Sequence, residues 1–133
     1  MKLILNTDGG ARGNPGPAAI GVVLRNSEGT AVTEIGKYIG VGTNNEAEYK
    51  ALVEGLGAAV EKGAQELECF LDSELVVKQM RGEYKIKHTG LKKLWEQAKA
   101  FESKIEKVSY SHVPREKNKE ADAIVNKVLD STN

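Results

Sequence analysis

At 133 residues, with 40% hydrophobic and 29% charged side chains, the chain is long enough to bury a core without disulfide or metal staples. No apolar run approaches the roughly 20 residues of a membrane span, and no charged-then-apolar leader opens the chain, so a cytoplasmic globular protein is expected. Nineteen Lys and Arg balance nineteen Asp and Glu, and a net charge of zero argues at first sight against a nucleic-acid partner.

The distribution of charge argues the other way. Residues 1–77 hold six Lys or Arg against eleven Asp or Glu, whereas from Lys78 to Lys93 six cations stand against Glu83 alone. An acidic part able to hold metal ions therefore lies beside a basic part able to hold phosphates.

In chain order, Lys2–Asp8 reads as an apolar strand that ends where a glycine-rich turn, Gly9 to Gly16, begins. Ala18–Asn26 and Thr30–Gly40 follow as strands joined by Ser27-Glu28-Gly29, a connection short enough for an antiparallel meander. Asn44–Lys62 is helical, with Leu52, Leu56, Ala59 and Val60 on one stripe and Gly63 as its stop. Glu66–Leu71 is a strand with Cys69 as a small buried hydrophobe, and Ser73–Arg81 is a short helix capped by Asp72 or Ser73. After the basic segment, Leu91–Lys107 places Leu91, Leu94, Trp95, Ala98, Phe101 and Ile105 at helical spacing, the pattern of core contacts. Val108–Val113 is a last strand and Lys117–Asp130 a last helix, with only the final three or four residues untethered. The order implies one domain over 1–133, a mixed α/β sheet with helices on its faces.

Four carboxylates break this apolar pattern. Asp8 and Asp72 end the first and fourth strands. Glu48 precedes Leu52 and Leu56 on a core stripe, and Asp122 precedes Val125 and Leu129 on another. Singly, each has a plain structural reading: Asp72 as a helix cap, Asp8 as a turn former, Glu48 and Asp122 as partners of lysines such as Lys50 and Lys119. If the two strand ends adjoin the two helix starts, however, four carboxylates converge with no cation of their own. Such a cluster requires a counter-ion, and hard oxygen ligands select Mg²⁺ or Mn²⁺. Two such ions about 3.5–4 Å apart clamp an in-line displacement at phosphorus.

At these residues the chain resembles type 1 ribonuclease H. Thr7-Asp8-Gly9-Gly10 with Gly13-Asn14-Pro15-Gly16-Pro17 and Gly21 resembles the family's opening motif. Thr43-Asn44-Asn45-Glu46-Ala47-Glu48 resembles its TNN-x-x-E, Asp72-Ser73 with Val76-Val77 its DS-x-x-V-V, and Asn118 to Asp122 its N-x-x-A-D. The four motifs stand in the family's order over nearly the whole chain.

The resemblance implies a five-stranded mixed sheet, three antiparallel strands then two parallel, flanked by helices. It implies two Mg²⁺ or Mn²⁺ ions held by Asp8, Glu48, Asp72 and Asp122, with Asp8 bridging both. It also implies a monomeric endoribonuclease that cuts the RNA strand of RNA/DNA hybrids, leaving 5′-phosphate and 3′-hydroxyl ends. Double-stranded RNA is the second candidate substrate. Gly9, Asn14, Thr43, Asn44 and Asn45 would line the groove for the hybrid, where glycines admit close approach and Asn side chains reach 2′-hydroxyls.

Two departures stand out. The loop Pro114-Arg115-Glu116-Lys117 lacks the histidine that many members carry, and Arg115 is the candidate for its role, because a guanidinium holds phosphate. His112 is read as structural, and His88 as a solvent or phosphate contact. Gly82–Gly90 also lacks the extra basic helix of some members, so hybrid binding is expected to be weak and salt-sensitive, with Lys85, Lys87, Lys92 and Lys93 touching phosphates. Glu74, where a neutral amide is common, has no assigned role. A non-cleaving binding module and an exonuclease or integrase-like nuclease are the rival classes; the full acidic set disfavours the first and the TNN-x-x-E match the second.

Overall fold

The structure, a computed structural model, describes residues 1–132. Five strands form one sheet in the order β3-β2-β1-β4-β5: β1 (Lys2–Ala11), β2 (Gly16–Asn26), β3 (Ala31–Gly42), β4 (Glu66–Leu71) and β5 (Lys107–His112). The β1–β2 and β2–β3 pairs are antiparallel, and β1–β4 and β4–β5 are parallel, as the mixed-sheet expectation required. The helices are α1 (Asn44–Glu61), α2 (Glu74–Met80), α3 (Thr89–Glu102) and α4 (Lys119–Ser131), with a 3₁₀ turn at Arg115–Lys117 before α4. Among the described residues no helix is long and apolar enough to cross a membrane.

Strand alternation divides the molecule into two layers. Leu3 and Leu5 of β1, Val22 and Leu24 of β2, and Leu67, Cys69 and Leu71 of β4 pack with Leu52, Leu56 and Ala59 of α1 in the main core. On the other face, Ala19 packs with Val125 and Leu129 of α4 in a small second cluster. Glycines let both helices approach the sheet. A Cβ at Gly9 would lie 2.2 Å from the Ala47 carbonyl of α1, and one at Gly21 would lie 2.4 Å from the Ala121 oxygen of α4.

Several boundaries differ from the sequence reading. β1 does not stop at Asp8; it runs on to Ala11, paired with β2 through Ala11 and Ala18. The turn therefore begins beyond Ala11, and Gly9 and Gly10 are strand residues. The helix read as Leu91–Lys107 ends at Glu102, where the Ser103 hydroxyl donates to the Ala100 carbonyl and a turn carries Ile105 into the core. α4 starts two residues later than expected because Arg115–Lys117 forms the separate 3₁₀ turn. The untethered C-terminus is shorter than expected, since Ser131 is helical and Thr132 bonds the Leu129 carbonyl; Asn133 lies outside the described residues.

Candidate active site

Parallel pairing of β1 with β4 sets Thr7 beside Leu71, and one further step sets Asp8 beside Asp72. Asp72 does not cap α2, because the Ser73 hydroxyl does so by accepting from the Val76 amide. The Asp72 carboxylate is thereby left for other work. Glu48 arrives from α1, whose first turn is held by a capping box: Thr43 accepts from the Glu46 amide while Glu46 accepts from the Thr43 amide. Contact at Gly9 presses this turn onto β1, and the Gly9 amide donates to Glu48 Oε1 at 2.7 Å. Asp8, Glu48 and Asp72 thus offer oxygens within 4.8 Å of one another, with Asp8 7% and Glu48 8% exposed.

Asp122 faces the same cleft of about 500 Å³, which is also lined by Gly9, Gly10, Asn44, Asn45, Ser73, Arg115 and Asn126. It lies close enough to Asp8 to raise that residue's pKa by charge and by hydrogen bonding, but it stands outside the tight group of three. Its Oδ1 accepts from the Arg115 guanidinium at 2.9 Å, and its side chain is 24% exposed, so it sits at the edge of the α4 stripe and is not fully buried. Neither Lys50 nor Lys119 forms an ion pair with Glu48 or Asp122.

Electrostatic strain is concentrated in this cleft. Burial, then the charge of Asp72, pushes the Asp8 carboxyl up to about 7, against the pull of a hydrogen bond with Glu48. Glu48 is held well above the ordinary carboxylate range by burial and by the charges of Asp8 and Asp72. Asp72 is raised by burial, with hydrogen bonds from Asn118 and Asp8 and the charge of Arg115 partly offsetting it. Adjacent acids that cannot all ionise, with oxygen donors only and no cation paired to Asp8 or Glu48 among the described residues, form a set that fits a hard divalent ion.

The candidate groove residues have structural work of their own. Gly9 points its α-carbon at α1, so its lack of a side chain is required by helix packing before any ligand is considered. The Asn14 side-chain oxygen accepts from the Asn44 amide, and that of Asn44 accepts from the Ala11 amide, tying the turn after β1 to the start of α1. Asn14, Asn44 and Asn45 are all exposed to solvent. Lys85, Lys87, Lys92 and Lys93 do not line the acidic cleft; Lys85 and Lys92 border a separate groove with Tyr84, Ile86 and Trp95. His88 caps α3, its Nδ1 accepting from the Leu91 amide. Glu74 pairs with Lys78 at 3.2 Å, and His112 Nδ1 stands 3.8 Å from its other oxygen.

Sequence reasoning passed over Asn118 as a site residue. It is 2% exposed, its Nδ2 donates to the Thr7 carbonyl at 2.8 Å, and its Oδ1 accepts from Asn6 Nδ2 at 3.1 Å. One buried amide therefore fastens the start of α4 to β1 beside Asp8. The signal available was its place four residues before Asp122, at the head of a helix.

A family model described as reverse transcriptase-like matches residues 6–128. The RNase HI structure from Halobacterium salinarum superposes with a TM-score of 0.95 at 40% identity, over 98% of this chain and 99% of that one. The chain belongs to the ribonuclease H family. The N-terminal RNase H domain of Rv2228c from Mycobacterium tuberculosis matches with a TM-score of 0.95 and 44% identity, over 97% of this chain and 99% of that domain. A third ribonuclease H, LC11-RNase H1, was solved in complex with an RNA/DNA hybrid and matches at 42% identity and a TM-score of 0.92, over 98% of each chain. Among curated relatives, this ribonuclease H chain spans 36% of the length of the bifunctional Rv2228c protein and 62% of the halobacterial ribonuclease HI.

Proposed function

We propose that the chain is a metal-dependent endoribonuclease that hydrolyses the RNA strand of RNA/DNA hybrids and leaves 5′-phosphate and 3′-hydroxyl ends. The observation that carries this reading is the approach of Asp8, Glu48 and Asp72 to within 4.8 Å, with Asp122 in the same open cleft. Membership of a family that includes a hybrid-bound structure supports the substrate class. The reading includes a monomer acting in the cytoplasm, and double-stranded RNA as a second substrate.

Asp8, Glu48, Asp72 and Asp122 would hold two Mg²⁺ or Mn²⁺ ions, Asp8 contributing to both. The chemistry such ions supply is activation of water and neutralisation of the charge that develops on a phosphodiester. The chain's own residues prepare the rest. The Gly9 amide fixes one oxygen of Glu48 and so the place of its carboxylate beside Asp8. Asn118 holds the α4 start against β1 and so sets where Asp122 stands. Arg115, 73% exposed beside Asp122, would hold a substrate or product phosphate. Asn14, Asn44 and Asn45, with Gly9 and Thr43 behind them, would carry the minor-groove contacts that distinguish RNA by its 2′-hydroxyl.

The test is a labelled RNA/DNA hybrid incubated with Mg²⁺ or Mn²⁺, with and without chelator, beside duplex RNA and duplex DNA. Metal-dependent loss of the RNA strand within the hybrid, with the DNA strand intact, is the expected result. An RNA strand that survives under every cation would overturn the reading.

A further inference from the structure

The segment between α2 and α3, residues 82–88, has no helix or strand to hold it, yet it carries Lys85 and Lys87. Its first residues bond the Lys78 carbonyl, Lys78 reaches the Tyr84 hydroxyl and Ile86 packs on the main core; at Lys85 one side chain makes the tie. Gln79, on the last turn of α2 and 6% exposed, donates from Nε2 to the Lys85 carbonyl at 3.4 Å. Its Oε1 accepts from the Tyr49 hydroxyl at 2.5 Å, and Tyr49 is fully buried on α1, next in sequence to Glu48. The Gln79 backbone carbonyl accepts from Trp95 Nε1 of α3 at 3.3 Å, and the next carbonyl, of Met80, accepts from Lys99 Nζ at 2.8 Å. Three helices and the basic segment therefore meet at one residue.

A buried amide bonded through both its oxygen and its nitrogen has little freedom. Losing either partner leaves a buried polar group unpaired, a larger loss than the bond itself contributes. Lysines on a stretch without helix or strand lose side-chain and backbone entropy when they bind phosphate, and fixing the backbone beforehand lowers that loss.

We propose that Gln79 is a positioning residue: by holding the Lys85 carbonyl and the Tyr49 hydroxyl together, it fixes the basic segment relative to the helix that bears Glu48. This rests on the nuclease reading above for its substrate, the phosphate backbone of a hybrid. Gln79 touches no reacting atom, so it acts on binding and leaves the chemical step alone.

Steady-state cleavage of a labelled hybrid by Gln79→Met, which keeps the length of the side chain but neither hydrogen bond, tests this. KM rises roughly tenfold, kcat stays within about twofold, and the slope of log KM against log salt becomes shallower by about one. Lys85→Ala raises KM similarly, and adding Gln79→Met to it changes KM by less than about twofold, because the pin acts through that lysine. Gln79→Glu keeps an acceptor for Tyr49, loses the donor to Lys85, and gives the same rise if the Met variant folds poorly. Backbone order parameters measured by NMR at Lys85–Lys87 fall in Gln79→Met while those of α1 are unchanged. An unchanged KM, or additive rises in the double variant, would overturn the proposal. If the wild-type protein cuts no hybrid, the nuclease reading fails instead, and unchanged order parameters at Lys85–Lys87 would then overturn the pin independently.

Discussion

Asp8 carries the clearest consequence at the scale of single residues. Its folded pKa of about 7 lies above its ordinary value of 3.8, so the folded, metal-free protein holds the extra proton between those values. Its contribution to stability is full below the lower value and is lost as pH rises through the upper one. Thermal melts in chelator should therefore show Asp8→Asn stabilising the protein at about pH 8 and much less at about pH 5. The gain is several degrees, at roughly 4 °C for each kcal/mol of repulsion relieved. Mg²⁺ at about pH 8 raises the melting temperature of the wild type more than that of the variant; a variant no more stable than wild type in chelator would refute the repulsion. Arg115→Ala should lower hybrid turnover about tenfold, the range of one charge-assisted phosphate contact. Unchanged turnover would leave Arg115 as a partner of Asp122 only. Of these residues, the acids were legible because carboxylates interrupt apolar patterns. Asn118 was not, because an Asn ahead of a helix looks like any cap until its partners, Asn6 and Thr7, are known to be adjacent.

Secondary-structure elements set the distances within which those side chains work. β1 and α1 approach so closely at Gly9 that Gly9→Ala would drive a methyl into the Ala47 carbonyl. Urea unfolding should show a loss of about 3 kcal/mol, the upper range for overpacking, and Mg²⁺ affinity should fall with it as Glu48 is displaced. Wild-type stability in that variant would mean α1 can move away freely. The same glycine explains a misread boundary: Gly-Gly after an apolar run looks like a turn, because glycine weakens a strand locally, and only the helix lying across it shows why no other residue fits. The overlong reading of α3 has a related origin. Ile105 keeps helical spacing with Leu91 and Ala98, but it reaches the core from a turn after Ser103. Periodicity identifies which residues are buried before it identifies the backbone that buries them.

Across the whole molecule, charge is divided between an acidic cleft and a cationic stretch that does not line it. Hybrid binding should therefore weaken steeply with salt. KM rises with a log–log slope set by the number of phosphates that Lys85, Lys87, Lys92 and Lys93 neutralise, and a flat dependence in a salt titration would exclude those contacts. The mixed sheet of three antiparallel and two parallel strands was legible in sequence, and so were the acids that line one cleft, through ordered motifs that reach from Thr7 to Asp122. The place of Lys85 and Lys87 was not, since no helix or strand carries residues 82–88; Lys92 and Lys93 ride on α3.

The cleft draws on the first strand and the last helix, so its parts leave a ribosome far apart in time. Asp8, Glu48 and Asp72 emerge early and can gather as β1, α1 and β4 pair, whereas Asp122 and the Asn118 tether follow only after α3 and β5. A chain still being made would hold a half-built pocket of mutually repelling acids. A nascent chain that stops before α4 would lack Asp122 and the Asn118 tether, and with them the far wall of the cleft.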